Sequence, residues 1–237
     1  MKSIIHRANT RGHANHGWLD SYHSFSFAGY YDPQRMNFGM LRVLNDDVVK
    51  PGMGFGTHPH RDMEIISIPL KGALSHKDSM GNKRSIEVGE VQTMSAGTGI
   101  THSEFNDSRT DDVNFLQLWI IPEAQGVEPR YFQKEFDEAG RNNQFQTLVS
   151  PLKNPVYGSL LINQNASIKM VDLEEGKELN YDYNSGSGIY YFLIDGEVTI
   201  DGETLNKRDA IGIWDASQSA IKANKTSKLL AIDVPMN

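Results

Sequence analysis

An all-β fold in two related halves is what this sequence of 237 residues predicts, and three observations carry the prediction. Short stretches rich in β-branched and aromatic residues recur along the whole chain, separated by Gly, Asn and Asp turn signals, the pattern of sandwiches and barrels. Helical periodicity is weak throughout. The order of strands and turns in the first half returns in the second.

The strand-like stretches are, in order, Leu41 to Leu44, Glu64 to Leu70, Phe115 to Ile121, Ser159 to Ile162, Ile189 to Ile194 and Leu229 to Val234. A short turn of helix is expected around Glu135 to Gly140, between the halves. In the first half, Ile66 to Leu74 leads through a turn at Gly81-Asn82-Lys83-Arg84 to Val91-Gln92-Thr93-Met94, and Phe115 to Ile120 closes the unit. In the second, Tyr190 to Val198 leads through Gly202 and Asn206-Lys207-Arg208 to Ile211-Gly212-Ile213-Trp214, and Leu229 to Val234 closes it. Order, turn type and closing strand agree, which reads as a duplicated β unit. The basic pairs Lys83-Arg84 and Lys207-Arg208 are expected at solvated hairpin tips.

Composition narrows the function. The chain has no cysteine, which excludes disulfide scaffolds, zinc-thiolate sites, iron–sulfur clusters and cysteine nucleophiles. Any metal must be held by nitrogen and oxygen. With 23 Lys+Arg against 30 Asp+Glu, the formal charge of −7 disfavours proteins that coat nucleic acid or anionic membrane. The N-terminus turns polar before a signal-peptide core forms, and no segment has the apolar run of a membrane span. A soluble, cytoplasmic protein without direct nucleic-acid or membrane contact is expected, working as a monomer. All eight histidines lie at or before position 102, so whatever histidine does here belongs to the first half.

The segment Gly52-Met53-Gly54-Phe55-Gly56-Thr57-His58-Pro59-His60-Arg61-Asp62-Met63-Glu64 carries the chemistry. In a strand, alternate residues share a face, so His58 and His60 project together and Glu64 follows on the same parity. Pro59 suits an edge strand or a strand start. A second Gly-rich segment, Gly97 to Asn106, places His102 and Glu104 two apart in the same way. Three imidazoles and a carboxylate from two strands can meet at one point and suit a borderline divalent ion, with open positions if the ion is octahedral. Spacing alone leaves Glu64 a ligand, a group orienting a ligand histidine, or a satisfied strand carboxylate.

These residues resemble the two cupin motifs, with Gly97 where cupins usually carry Pro. More specifically, His58-Pro59-His60-Arg61 and His102-Ser103-Glu104 are similar to the pirin family of two-barrel cupins. The upstream run His13 to Phe27, with Tyr30-Tyr31-Asp32-Pro33, resembles bacterial pirins of the quercetinase type. The likeness covers nearly the whole chain and is strongest from Gly12 to Trp119.

The resemblance implies an all-β bicupin: two β-barrel domains of double-stranded β-helix, jelly-roll-like form, residues 1–134 carrying the metal and 135–237 without ligands. It implies His58, His60, His102 and Glu104 as ligands of one divalent transition metal, Fe(II) first, with Mn, Co, Ni, Cu or Zn fitting the same donors. Glu64 then becomes a candidate neighbour of the ligands. Matching Gly72 to Gly196 puts Asp182 and Asn184 at the positions of His58 and His60, and Lys222 and Asn224 at those of His102 and Glu104. The implied activity is quercetin 2,3-dioxygenase-like: oxidative ring opening of a flavonol by O2, releasing CO, with Glu104 as the catalytic base. The alternative is a non-enzymatic metal-binding regulator, a transcriptional co-regulator acting through protein partners; a third is an isomerase or sugar-binding cupin. Trp18, Phe25, Phe27, Tyr30 and Tyr31 are expected mainly to pack the barrel rather than wall a pocket. His13, His16, His23 and His76 are expected in loops or packing.

Overall fold

The computed structural model describes all 237 residues. Every expected strand stretch coincides with a strand, with only Ile121 and Ser159 falling one residue outside, and the only helical elements are two 3₁₀ turns, Ala8–Thr10 and Glu138–Arg141. The second turn is the one expected between the halves, and Asp137 caps it by accepting from the Ala139 N–H. No helix is long and apolar enough to cross a membrane.

In the first half, a seven-stranded antiparallel sheet runs in the order Arg130–Glu135, Glu90–Ser95, Glu64–Lys71, Val113–Ile120, Leu41–Val49, Leu19–His23, Gly12–Asn15. A four-stranded sheet, Gly54–His60, Ile100–Phe105, Ala73–Asp78, Lys83–Glu87, makes the other wall of this barrel. The second half is one nine-stranded sheet whose long strands, Ser187–Ile200 and Gln218–Pro235, bend through bulges and serve both walls. The chain turns the same corner in both halves at a glycine: Gly72 has φ +73° and Gly196 φ +93°. At Gly196 a Cβ would lie 2.2 Å from Ser227 Oγ and 2.4 Å from the Thr226 carbonyl, so only glycine fits.

Strand parity divides the apolar residues between two jobs. Ile66, Ile68, Leu116 and Leu118 of the first half pack against Tyr190, Phe192, Leu230 and Ile232 of the second in one core of 25 residues. The alternate positions of the second half, Ile189, Tyr191, Leu193 and Leu229, join a 15-residue cluster inside its own barrel. Burial on both faces explains the unbroken apolar run Ile189 to Ile194. The first barrel differs inside: its apolar residues gather in two small clusters of six and four, around Phe115 and around Ile65. Between them lie buried Asn45, Ser67 and Gln92 and the half-buried Gln117. One barrel interior is filled; the other keeps polar walls.

The halves are also tied at the first strand and at Arg208. Lys2–His6 pairs with Ala210–Trp214 in the second sheet, and His6 Nδ1 lies 2.9 Å from the Tyr190 hydroxyl. Arg208, expected at a solvated tip, is instead largely buried in the seam, 3.1 Å from Asp46 and donating to Asn114. Its partner Lys207 does remain exposed, beside Asp195.

Candidate metal centre

His58 and His60 lie on Gly54–His60, an edge strand of the four-stranded sheet, where Pro59 leaves no ladder hydrogen bond unmade. The antiparallel register sets His102 directly opposite His58, and a register shift between His102 and Glu104 reorients the strand beyond it. The three rings converge, with centroids 4.4 Å (His58–His102), 4.8 Å (His58–His60) and 4.8 Å (His60–His102) apart. Their candidate ligand atoms lie within 4.8 Å of one another. His58 Nδ1 stands 2.8 Å from the Gly56 carbonyl, which holds its N–H and leaves Nε2 as the lone pair. His102 Nε2 is buried without a partner.

Burial, then the neighbouring imidazoles, push His60 down to about 4 and His102 down to about 3. Both are neutral at physiological pH, the form that ligates a metal. Glu104 is buried beside them; Gln117 Nε2 donates to one oxygen at 2.9 Å and Ser67 Oγ to the other at 3.4 Å. Converging lone pairs, an orphaned buried nitrogen and a held carboxylate fit a borderline divalent ion.

Glu64 does not join them. Asp62, at φ +47°, breaks the strand after His60, so the parity that linked Glu64 to the histidines is lost. Glu64 instead accepts from Ser95 at 2.7 Å and Asn163 at 3.2 Å, and burial pushes its carboxyl up. It is a satisfied carboxylate with no contact to the histidines. The departure at Gly97 has a local cause: at φ +45°, with a Cβ 1.9 Å from the Val127 carbonyl, neither proline nor an ordinary side chain fits.

The centre forms one wall of a cavity of about 760 Å³. Trp18, Phe27 and Tyr30 do line it, with Phe55 and Trp119, so the aromatic run is divided: Phe25 packs in the core and Tyr31 is exposed. His60 meets the Trp119 ring edge-on at 5.0 Å. His13, His16 and His23 lie on the cavity wall rather than in remote loops.

Sequence reasoning missed the polar wall. Gln92, Ser67, Gln117, Asn45 and His23 are successive partners across five strands, so their side chains share the inner face. Asp47, one rung away, accepts from Ser21 Oγ, which also contacts His23 Nε2 at 2.7 Å. Burial pushes Asp47 up to about 7. Alternation of these polar residues with Ile66, Leu116, Leu118 and Leu44 was the available signal. His76 was missed as well: it is fully buried against His102.

The second barrel differs from the expected correspondence. Asp182 pairs with Gln218 and Lys222 with Glu178, so Asp182 and Lys222 do not face each other as His58 and His102 do. Both are exposed, and the side chains turned inward are Tyr181, Ser219 and Ile221.

The profile of the pirin family matches residues 5–120, and that of the quercetinase C-terminal cupin domain matches residues 147–234. A protein of Escherichia coli K12 named quercetin 2,3-dioxygenase is 45% identical over 231 residues, 98% of each chain. A pirin-like protein of Caulobacter vibrioides is 40% identical, covering 94% of this chain and 95% of its own. Among solved structures, the E. coli bacterial pirin YhhW in complex with nickel(II) superposes with a TM-score of 0.93 at 43% identity, covering 99% of each chain. A quercetin 2,3-dioxygenase from Acinetobacter baumannii shares the fold, with a TM-score of 0.80 at 21% identity over 99% of this chain and 86% of its own. This chain, all-β and built of two cupin barrels, therefore belongs to the pirin family.

Proposed function

We propose that the protein is a metal-dependent dioxygenase of the pirin type that opens the ring of a flavonol with O2. His58, His60, His102 and Glu104 would hold one divalent transition metal, Fe(II) first, with Mn, Co, Ni, Cu or Zn compatible with three imidazoles and a carboxylate. When bound, such an ion supplies Lewis-acid activation of a substrate oxygen and access to O2. The metal-bearing unit is residues 1–134, its first strand lent to the other sheet, and the barrel of residues 135–237 backs it across the shared core.

The observation that carries the reading is the convergence of the His58, His60 and His102 imidazoles, with Glu104 beside His102, at an aromatic cavity that His58, His60 and Glu104 line. Trp18, Phe27, Phe55 and Trp119 offer flat apolar faces for a planar aromatic substrate. Glu104 is the base that takes the flavonol hydroxyl proton, while Gln117 and Ser67 hold its carboxylate in place. Two relatives, one named quercetin 2,3-dioxygenase and one solved in complex with nickel(II), support the substrate and metal classes.

Oxygen uptake tests this. Protein stripped of metal, reconstituted with each of the six ions and given quercetin should consume O2 with at least one of them. No uptake with any ion would favour the binding-protein alternative.

A further inference from the structure

His76 stands outside the proposed ligand set yet touches one member of it. Its Nδ1 lies 3.5 Å from His102 Nδ1, and its Nε2 lies 3.2 Å from Asp78 Oδ2. The side chains of His76 and Asp78 are wholly buried. The His76 ring is stacked on Tyr131, centroids 4.8 Å apart, which fixes its plane.

The protons in this line can be assigned one after another. Asp78 Oδ1 accepts from the Met80 N–H at 2.9 Å and the Asn82 N–H at 3.0 Å, and Oδ2 accepts from Asn82 Nδ2 at 2.8 Å. A carboxylate surrounded by donors has only lone pairs to offer, so His76 Nε2 carries the hydrogen. In its neutral form His76 has only that one N–H, and Nδ1 is then an acceptor. The group facing that acceptor is His102 Nδ1, which must then be the protonated nitrogen of its ring. His102 Nε2 keeps its lone pair, and it is the atom buried without a partner beside His58 and His60.

We propose that Asp78 and His76 are positioning residues that fix His102 as its Nδ1–H tautomer and so present its Nε2 lone pair to the metal. Ligand histidines generally donate their other ring N–H to an outer partner that sets orientation and basicity. Here that partner is a second histidine, itself anchored on a carboxylate. His76, His102 and Glu104 also have ligand atoms within 4.8 Å of one another. Both nitrogens of His76 are committed to this line, so His76 is not a ligand. The inference rests on the metal reading above.

Two measurements separate the inference from that reading. Long-range ¹H–¹⁵N NMR of metal-free protein at neutral pH reads the tautomers directly, and Co(II) titration with its d–d absorption reads the metal. The wild type should show His102 protonated at Nδ1 and His76 at Nε2. His76→Gln keeps an acceptor for His102 and a donor for Asp78, and should hold Co(II) within about threefold of wild type. His76→Leu should lose about 10–100-fold in Co(II) affinity and shift the d–d bands. Asp78→Asn keeps an oxygen for the Met80 and Asn82 N–H groups but turns an amide N–H toward His76. It reverses the line and should move the His102 proton to Nε2 with a similar loss. A wild-type His102 protonated at Nε2, or a folded His76→Leu protein that binds Co(II) as tightly as wild type, would overturn the proposal. If His76→Leu does not fold, an unchanged His102 tautomer in Asp78→Asn overturns it. Wild-type protein that takes no Co(II) overturns the metal reading instead, and the tautomers then decide the hydrogen-bond line alone.

Discussion

His60, at about 4, and His102, at about 3, are neutral in the fold because burial and neighbouring imidazoles disfavour charge, whereas in the unfolded chain both protonate near 6.5. Their folded values are depressed, so the stability that these two groups contribute to the metal-free protein is whole above about pH 6.5 and is lost progressively as the pH falls toward 4. The Tm of metal-free protein should fall over that window, and His60→Gln should flatten the slope; a slope unchanged in the variant contradicts the assignment. Glu104→Gln should cost more turnover than metal content, because the amide can still occupy the site but cannot take a proton. Equal losses of both would remove the base role. The candidate histidines were legible because two-residue spacing on an extended strand survives folding unchanged. Glu64 was not, since one left-handed residue, Asp62, cancels the parity between His60 and Glu64. Asp47, Gln117 and His76 were unreadable as site residues, because what they contact is set by register with strands far away in sequence.

At the scale of the element, the repeated corner at Gly72 and Gly196 is the part of the duplication that physics requires. Gly196→Ala places a Cβ into Ser227 and the Thr226 carbonyl at φ +93°, and should destabilise the protein by more than about 2 kcal/mol in chemical denaturation. A cost near zero would mean the corner can relax. Runs such as Ile189 to Ile194 announced strands buried on both faces. The pairing of the second half was harder to read: bulges in Ser187–Ile200 shift the register several times, and sliding one half along the other by a fixed offset cannot follow them. That is why Asp182 and Lys222 were aligned with ligands when they point to solvent. Arg208 was misread for a related reason, since a hairpin tip is exposed only if no other sheet lies over it.

For the whole molecule, the largest core lies between the barrels rather than inside either one, and the second barrel is packed solid where the first keeps its cavity. The halves should therefore unfold together. Variants leaving only Trp119, in the first half, or only Trp214, in the second, should report the same denaturant midpoint in the metal-free state; midpoints separated by more than the fitting error would make the seam a mere contact. The two-half architecture was legible from repeats and the confinement of histidine to the first 102 residues, but the seam was not, because composition does not say which face of a strand meets which neighbour. The proposed function makes the first barrel a working metal centre braced by a ligand-free partner. The most direct test is oxygen consumed per flavonol by one preparation of known metal content, beside His60→Ala prepared in the same way. One metal per chain, one O2 per flavonol opened and no uptake by the variant are the predicted results; uptake by His60→Ala equal to wild type, or none by fully metal-loaded wild type, would contradict the account.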